Sequence, residues 1–456
     1  MRVARLSCCV GAVLLAVQSC RKEPADENVG PRKMDPGAGG AGAADAGGAA
    51  DDDGGNGGAV VAGRDAGSDG GGEGTSGKDA GAMDAGGAPP SFTIPRLLAA
   101  VGECALGRYR EFEGLARDLR DATAAWADDP TAATLAGAQA AYRDAIAAWQ
   151  RAELFQIGPA ARTPAPGALD LRDEIYFFPL GNPCLVDQQI VNQRYAEPTF
   201  ATSLANARGL TAVEYLLFHD GPDNACGPAV GINSGGTWAA LSATELTQRR
   251  ADYSRAAAAA VFARAGALVH AWEPADGDFL SELAAPGGKS AYATEHEALE
   301  AVVGALFYVD SEVKDLKLGT PLGLTPECPN SPATCPDAVE SRYARLSTEH
   351  IAENLAAFRM VFQGCGAKHV GLGFDDWLRT KPDGDELAER MLDALDAAQA
   401  AVSGLDPKLE EAILAMPPAE VLAVHAAIKA LTDLFKTEMV TILMVALPPS
   451  AQGDND

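Results

Sequence analysis

From about Ser91 to Pro448 apolar residues recur every three or four positions, segment after segment, and that spacing paints one face of a helix. The stretches 99–126, 134–155, 243–272 and 419–447 all follow it. Ala, Leu, Glu and Arg dominate them, so intrinsic propensity agrees with the pattern. Clusters of Pro and Gly at 158–167, 221–236, 321–336 and 381–384 punctuate the helices as loops. No alternating run of β-branched residues is long enough to require a sheet. The expected fold class is all-α, with helices packed as bundles and the Trp, Phe and Leu stripes forming the core. At about 360 residues this region exceeds the usual size of a single core, so two packed subdomains are expected, with a boundary near 225–245.

The 90 residues before it have a different character. Arg2 and Arg5 precede a short apolar run, Val10 to Val17, and Val17-Gln18-Ser19-Cys20 closes the segment. That is the layout of a signal peptide over residues 1–19. The run falls short of the roughly 20 apolar residues needed to span a bilayer, so removal is expected rather than retention. Ser19 before Cys20 is similar to a lipobox, which makes Cys20 the expected lipid attachment point and the membrane a partner through the anchor, with ordinary signal cleavage near the same place as the alternative. Arg21 after it points, by resemblance to other bacterial lipoproteins, to the outer membrane. Residues 20–90 are mostly Gly, Ala and Asp, too poor in large apolar groups to offset the entropy of ordering, and are read as a lipidated flexible tether. Residues 449–456 form a polar tail.

Beyond Cys8, Cys9 and Cys20 the chain holds Cys104, Cys184, Cys226, Cys328, Cys335 and Cys365, an even set for an oxidising compartment, and disulfides are the default reading. Only Cys328 and Cys335, flanking a Pro-rich turn, are paired by sequence proximity; the rest stay open. A zinc site is the rival reading, but no CxxC pair occurs. A formal charge of −27 excludes a general nucleic-acid binder, which needs clustered Lys and Arg for phosphate contacts.

Four stretches together resemble the imelysin family of bacterial envelope proteins, once grouped as peptidases and often linked to iron regulation. The first runs from Trp149 through Glu153 and Phe155 to Gly158-Pro159. Gly209-Leu210-Thr211-Ala212-Val213-Glu214-Tyr215-Leu216-Leu217 is similar to the family's G-x-H-x-x-E segment. The third is Lys317-Leu318-Gly319-Thr320-Pro321-Leu322-Gly323, and the fourth Glu340-Ser341-Arg342-Tyr343, with Asn354 and Gln363-Gly364 further along. The resemblance implies two helical bundles related by an ancient duplication. In one departure Thr211 stands where the family has histidine; a neutral hydroxyl is a poor substitute for an imidazole ligand, which puts any metal site on this motif, and a metallopeptidase, in doubt.

Glu214 sits in an apolar helix and needs partners there: it is either a site carboxylate or a buried Glu bonded to helix ends or an Arg. Glu153, one turn after Trp149, could face it across the bundle, and two close carboxylates would share a proton or recruit a cation. Glu153, Thr211 and Glu214 are therefore the leading ligand or metal candidates, with iron or another divalent metal the cofactor implied by resemblance. His350 and Glu353 form a second HxxE pair whose polar neighbours suggest a solvated helix face. His296 and Glu300 repeat the theme on another helix. His219, His270, His369 and His425 are isolated and read as surface or helix-end residues. No G-x-S-x-G elbow, H-E-x-x-H pair or phosphate loop occurs. The reading is a non-catalytic envelope binding protein for an iron species or another small ligand. The alternatives are a metal-dependent peptidase and a scaffold contacting another envelope protein.

Overall fold

The computed structural model describes residues 92–448, and within them the chain is helix and loop with no strand. The signal peptide, Cys20, the tether and the polar tail lie outside the described residues. Two groups of helices are distinguished by what packs on what.

The first group is built on α1 (Ile94–Asp128), α2 (Ala132–Ala152) and α7 (Ala243–Trp272), with α1 packed along both of the others. Each begins where the sequence provides a start. Pro95 opens the first turn of α1, where its missing N–H costs nothing. Thr131 with Thr134 and Ser242 with Glu245 close capping boxes on α2 and α7. Leu98, Val101, Ala105, Phe112, Ala116 and Leu119 keep the three-and-four spacing and are buried, which is why α1 can serve two neighbours. Between α2 and α7 lie the short helices α3 (Leu171–Ile175), α4 (Pro183–Asn192), α5 (Leu210–Phe218) and α6 (Gly231–Ser234). Of these, α5 packs on α7 and α2. Helices α8 (Phe279–Ala284) and α9 (Glu295–Leu306) return to α1.

The second group follows a π-helix, Val309–Gly319, continued by α10 (Thr320–Leu322). It comprises α11 (Ser347–Gln363), α12 (Phe374–Arg379), α13 (Gly384–Ser403), α14 (Leu409–Ala412), α15 (Ala419–Leu434) and α16 (Val440–Leu443). Helix α13 packs on α15 and α11, and the π-helix lies against α15 and α11. Helix α2 joins the groups by packing across α11.

All six cysteines of the described region pair, as Cys104–Cys365, Cys184–Cys226 and Cys328–Cys335. The local pair expected from sequence is one of them, and the zinc alternative falls for these six because none of the described cysteines keeps a free thiol for a metal. Cys104–Cys365 ties α1 to the loop after α11 across 261 residues of sequence. Among the described residues no helix is long and apolar enough to cross a membrane.

Candidate functional site

The four stretches that are far apart in sequence meet inside the protein as one buried polar network. Helix α5 enters it through Gly209, where a Cβ would stand 2.8 Å from the carbonyl oxygen of Ile175, so only glycine lets the chain approach α3 this closely. One turn later Glu214 is buried among Val213, Tyr215 and Leu216. Its Oε1 accepts three hydrogen bonds: from Ser341 Oγ at 3.0 Å, Tyr343 N–H at 3.1 Å and Ala344 N–H at 2.9 Å. Its Oε2 faces the Tyr142 hydroxyl at 3.5 Å. Burial raises its pKa, and these donors with His350 pull only partly the other way. The carboxylate is thus held by a loop of the fourth stretch rather than by an arginine.

Glu340, at the start of that loop, is the network's anion. Its Oε1 accepts from Lys317 Nζ at 2.9 Å, Gln150 Nε2 at 3.0 Å and Tyr176 Oη at 2.8 Å. Burial alone would raise the Glu340 pKa, but Lys317, then His350, overcome it and hold the carboxyl well below its usual range. Lys317 reaches this point because the wide turn of the π-helix carries it fully into the core. Its ammonium also donates to Gln150 Oε1 at 2.7 Å and Asn354 Oδ1 at 2.8 Å, which uses all three of its protons.

Glu153, the residue that ends α2, belongs to a neighbouring cluster. Arg172 grips its Oε1 through Nε at 2.8 Å and Nη2 at 2.6 Å, and the Tyr308 hydroxyl donates to Oε2 at 3.0 Å. Arg172 also pairs with Glu312 at 3.0 Å and Asp173 at 2.9 Å. Glu153 and Glu214 are both buried, as the sequence suggested, yet they take different donors. Contact between their surroundings runs through Tyr308, whose ring faces Lys317 Nζ at 5.4 Å, and on through the Lys317–Glu340 pair.

His350 corrects the expectation of a solvated helix face. It is 1% exposed, and its Nδ1 lies 3.1 Å from Glu340 Oε2 without the alignment of a hydrogen bond. The reason is periodic: Ser347, His350, Ile351, Asn354 and Phe358 share the buried face of α11, while Glu353 points outward to Arg151 at 2.7 Å. His296 and Glu300 pair at 3.3 Å on the surface of α9 and take no part in the network. Sequence reasoning named no site role for Arg172, Tyr176, Tyr308, Lys317 or Glu340. Lys317 and Glu340 stood in the quoted motifs, and Arg172, one residue after Leu171 and three before Ile175, carried the signal of a charge on an apolar face.

Outside Glu214 a cleft of about 530 Å³ opens, whose lining includes Phe178, Leu180, Glu214, Tyr215 and Tyr343. Thr211 lines it one turn before Glu214, and Asn206 stands beside it. Thr211 Oγ1 and Asn206 Oδ1 are shut from solvent with no hydrogen-bond partner among the described residues. The residues do not fit a metal: no three His, Cys, Asp or Glu side chains of the described region converge on a common point, and Glu214 Oε1 is already occupied by donors.

Behind this wall Asp187 of α4 accepts from the Tyr215 hydroxyl at 2.9 Å and Ala225 N–H at 2.7 Å. Burial pushes its carboxyl from 3.8 up to about 6, against Ala225, Tyr215 and Arg250. A carboxyl raised on folding binds its proton more tightly in the folded state, so its contribution is full below about 3.8 and is lost as pH rises to about 6. Urea midpoints measured across this range should fall with pH in the wild type by more than in Asp187→Asn. Parallel profiles would show that Asp187 is not the group titrating.

An all-helical body with a buried acid–base network beneath an aromatic cleft is the class of protein these features define. A family model for imelysin (peptidase M75) matches residues 105–437, and the chain belongs to the imelysin family. Its sequence is 26% identical over 348 residues to iron-regulated protein A of Synechococcus elongatus, spanning 75% of this chain and 85% of that protein. Among solved structures it is similar to one named as an iron-regulated protein A precursor from Parabacteroides distasonis, with a TM-score of 0.59 at 15% identity, covering 78% of this chain and 97% of the other. It is also similar to an imelysin-like protein from Psychrobacter arcticum, with a TM-score of 0.56 at 15% identity, covering 79% and 99%. At these identities the structural likeness speaks for the fold.

Proposed function

We propose that this protein is an exported, lipid-anchored binding protein of the bacterial envelope that holds a small ligand in the cleft above Glu214 without transforming it. The observation that carries the reading is the pairing of an open cleft with a lining whose reactive groups are already committed. Ser341 Oγ is fully buried and spends its proton on Glu214, so it is no nucleophile. Thr211 gives the motif no imidazole to act as a base or a ligand. A cleft of about 530 Å³ with mostly apolar walls and a few convergent polar atoms is the usual form of a small-molecule site.

The anchor follows from Arg2, Arg5, the apolar run and Cys20, and the outer membrane from Arg21. The link to iron rests on the name of the Synechococcus relative, and is read as a role in the response to iron supply rather than as a metal site in the chain. The test is native mass spectrometry of the protein recovered from envelope extract. Wild type should carry a small-molecule adduct that Ala338→Trp, a substitution at the partly exposed cleft wall, does not. Identical spectra for the two would remove the binding reading.

A further inference from the structure

We propose that a second pocket, apart from the cleft, binds a small carboxylate with an apolar tail and takes its head group on Arg264. The inference stands independently of the reading of the cleft.

This pocket holds about 630 Å³ between α3, the segment 202–208 that leads into α5, and Arg264 of α7. Its apolar groups can be reached from solvent. Leu169 is 56% exposed, Leu204 is 68% exposed, and Phe177 is half-buried. A single exposed leucine is ordinary, but two from separate loops lining one pocket beside a phenylalanine form a surface that a ligand can cover.

The polar end of the pocket is a shared ion group. Glu174 Oε2 accepts from Arg208 Nη2 and lies 3.1 Å from Arg264 Nε. One carboxylate between two guanidiniums leaves a positive charge over. Arg208 is buried and gives its other donors to backbone carbonyls, Ser203 O at 2.7 Å and Glu174 O at 3.5 Å. Arg264 differs, because its side chain is 31% exposed and most of its donors are unused. Of the five N–H groups of a guanidinium, Nε–H faces Glu174 and one Nη2–H donates to Ala201 O at 3.1 Å. Both Nη1 protons and the second Nη2 proton have no acceptor among the described residues. One proton from each nitrogen makes the flat end of the guanidinium, the fork that holds a carboxylate through two parallel hydrogen bonds.

Asp170 also lines the pocket and evens the count of charges, but both its oxygens accept from Thr163, at 2.7 Å from N–H and 2.9 Å from Oγ1. The hydrogen-bonding capacity left over is therefore that of donors, and the ligand must bring acceptors. A wholly polar anion would leave Leu169, Phe177 and Leu204 wet, and an uncharged apolar body would leave the fork in water. A carboxylate on an apolar tail answers both, since the tail removes apolar area from water while the head pairs with the guanidinium.

Isothermal titration of the full chain in phosphatidylcholine nanodiscs, with empty discs as the blank, tests this with octanoate, octylamine and acetate. Octanoate should bind saturably, while octylamine and acetate should not saturate at the same concentrations. Arg264→Gln should weaken octanoate about tenfold, equivalent to about 1.4 kcal/mol. Arg264→Lys, which keeps the charge without the fork, should fall between the two. Leu204→Ser, a change at an exposed loop position, should weaken octanoate several-fold, with all variants keeping the wild-type circular dichroism. Ala338→Trp, in the cleft, should leave octanoate binding unchanged. Equal affinity of Arg264→Gln and wild type, octylamine binding as tight as octanoate, or loss of octanoate binding in Ala338→Trp would each overturn the proposal. So would the absence of saturation by octanoate at millimolar concentration, a result that leaves the reading of the cleft to its own test.

Discussion

Replacing Lys317 by Met is expected to lower the unfolding free energy by about 3–5 kcal/mol, the range found when one partner of a buried ion pair is removed. Met fills most of the volume, so the loss is electrostatic rather than a cavity effect. It arises because Glu340 is left in the core with the neutral donors of Gln150 and Tyr176 and the His350 ring at 3.1 Å, and because Asn354 and Gln150 lose the ammonium that fixes their oxygens. The pH dependence gives the prediction a second handle. Glu340 is held below its unfolded value of 4.5, so its stabilising contribution is complete above that value and is lost as pH falls below it. Without Lys317 that depression shrinks to what His350 alone supplies. Urea unfolding curves of wild type and Lys317→Met should therefore be far apart at neutral pH and approach each other in acid. A gap that stays constant down to pH values below 4.5 would mean that the pair does not carry the effect.

Arg172→Met is expected to cost a similar amount, about 3–5 kcal/mol, for a related reason with a different remedy. Arg172 is 1% exposed and is the only cation hydrogen-bonded to Glu153 among the described residues, whereas its other partners, Glu312 and Asp173, stand near the surface and can be rehydrated. Burial already raises the pKa of Glu153 despite Arg172 and Lys317, and removing the guanidinium raises it further. A raised carboxyl loses stability as pH rises, so the variant should improve relative to wild type on moving from neutral pH into mild acid. Combining Arg172→Met with Glu153→Met removes the stranded charge, and the double variant should be more stable than Arg172→Met alone. The measurement is a double-mutant cycle by urea unfolding. A strictly additive cycle would show that the two side chains do not depend on each other.

Both effects explain what the motif residues are for. Gln150, Lys317, Glu340 and Asn354 come from α2, the π-helix, the loop before α11 and α11 itself, and they close one hydrogen-bonded knot. The knot joins the two helix groups at the point where α2 crosses α11. It also supports the loop 341–344 that holds Glu214 at the base of the cleft. A buried charge network is an expensive way to join helices, and its value here is in positioning: the ammonium protons of Lys317 are all committed to acceptors on three separate segments, so the loop has one place to sit.

The all-helical class was legible from apolar spacing, because a helix buries one face and the period of that face is written locally in the chain. The short-range disulfide Cys328–Cys335, the burial of Glu153 and Glu214, and the family followed from local runs or motifs in the same way. The partners of those carboxylates did not, since Arg172 and Glu153 are 19 residues apart, Gln150 and Asn354 are 204 apart, and nothing in a linear pattern says which loop will close over which helix. His350 shows the limit most clearly. Its sequence neighbours are polar because they occupy the outer face of α11, and the inward direction of its own side chain depends on where that helix packs. Periodicity is a property of one segment and can be read from it, whereas a charge in a core is tolerable only through groups brought from elsewhere, and assembling them is the work of the packed fold.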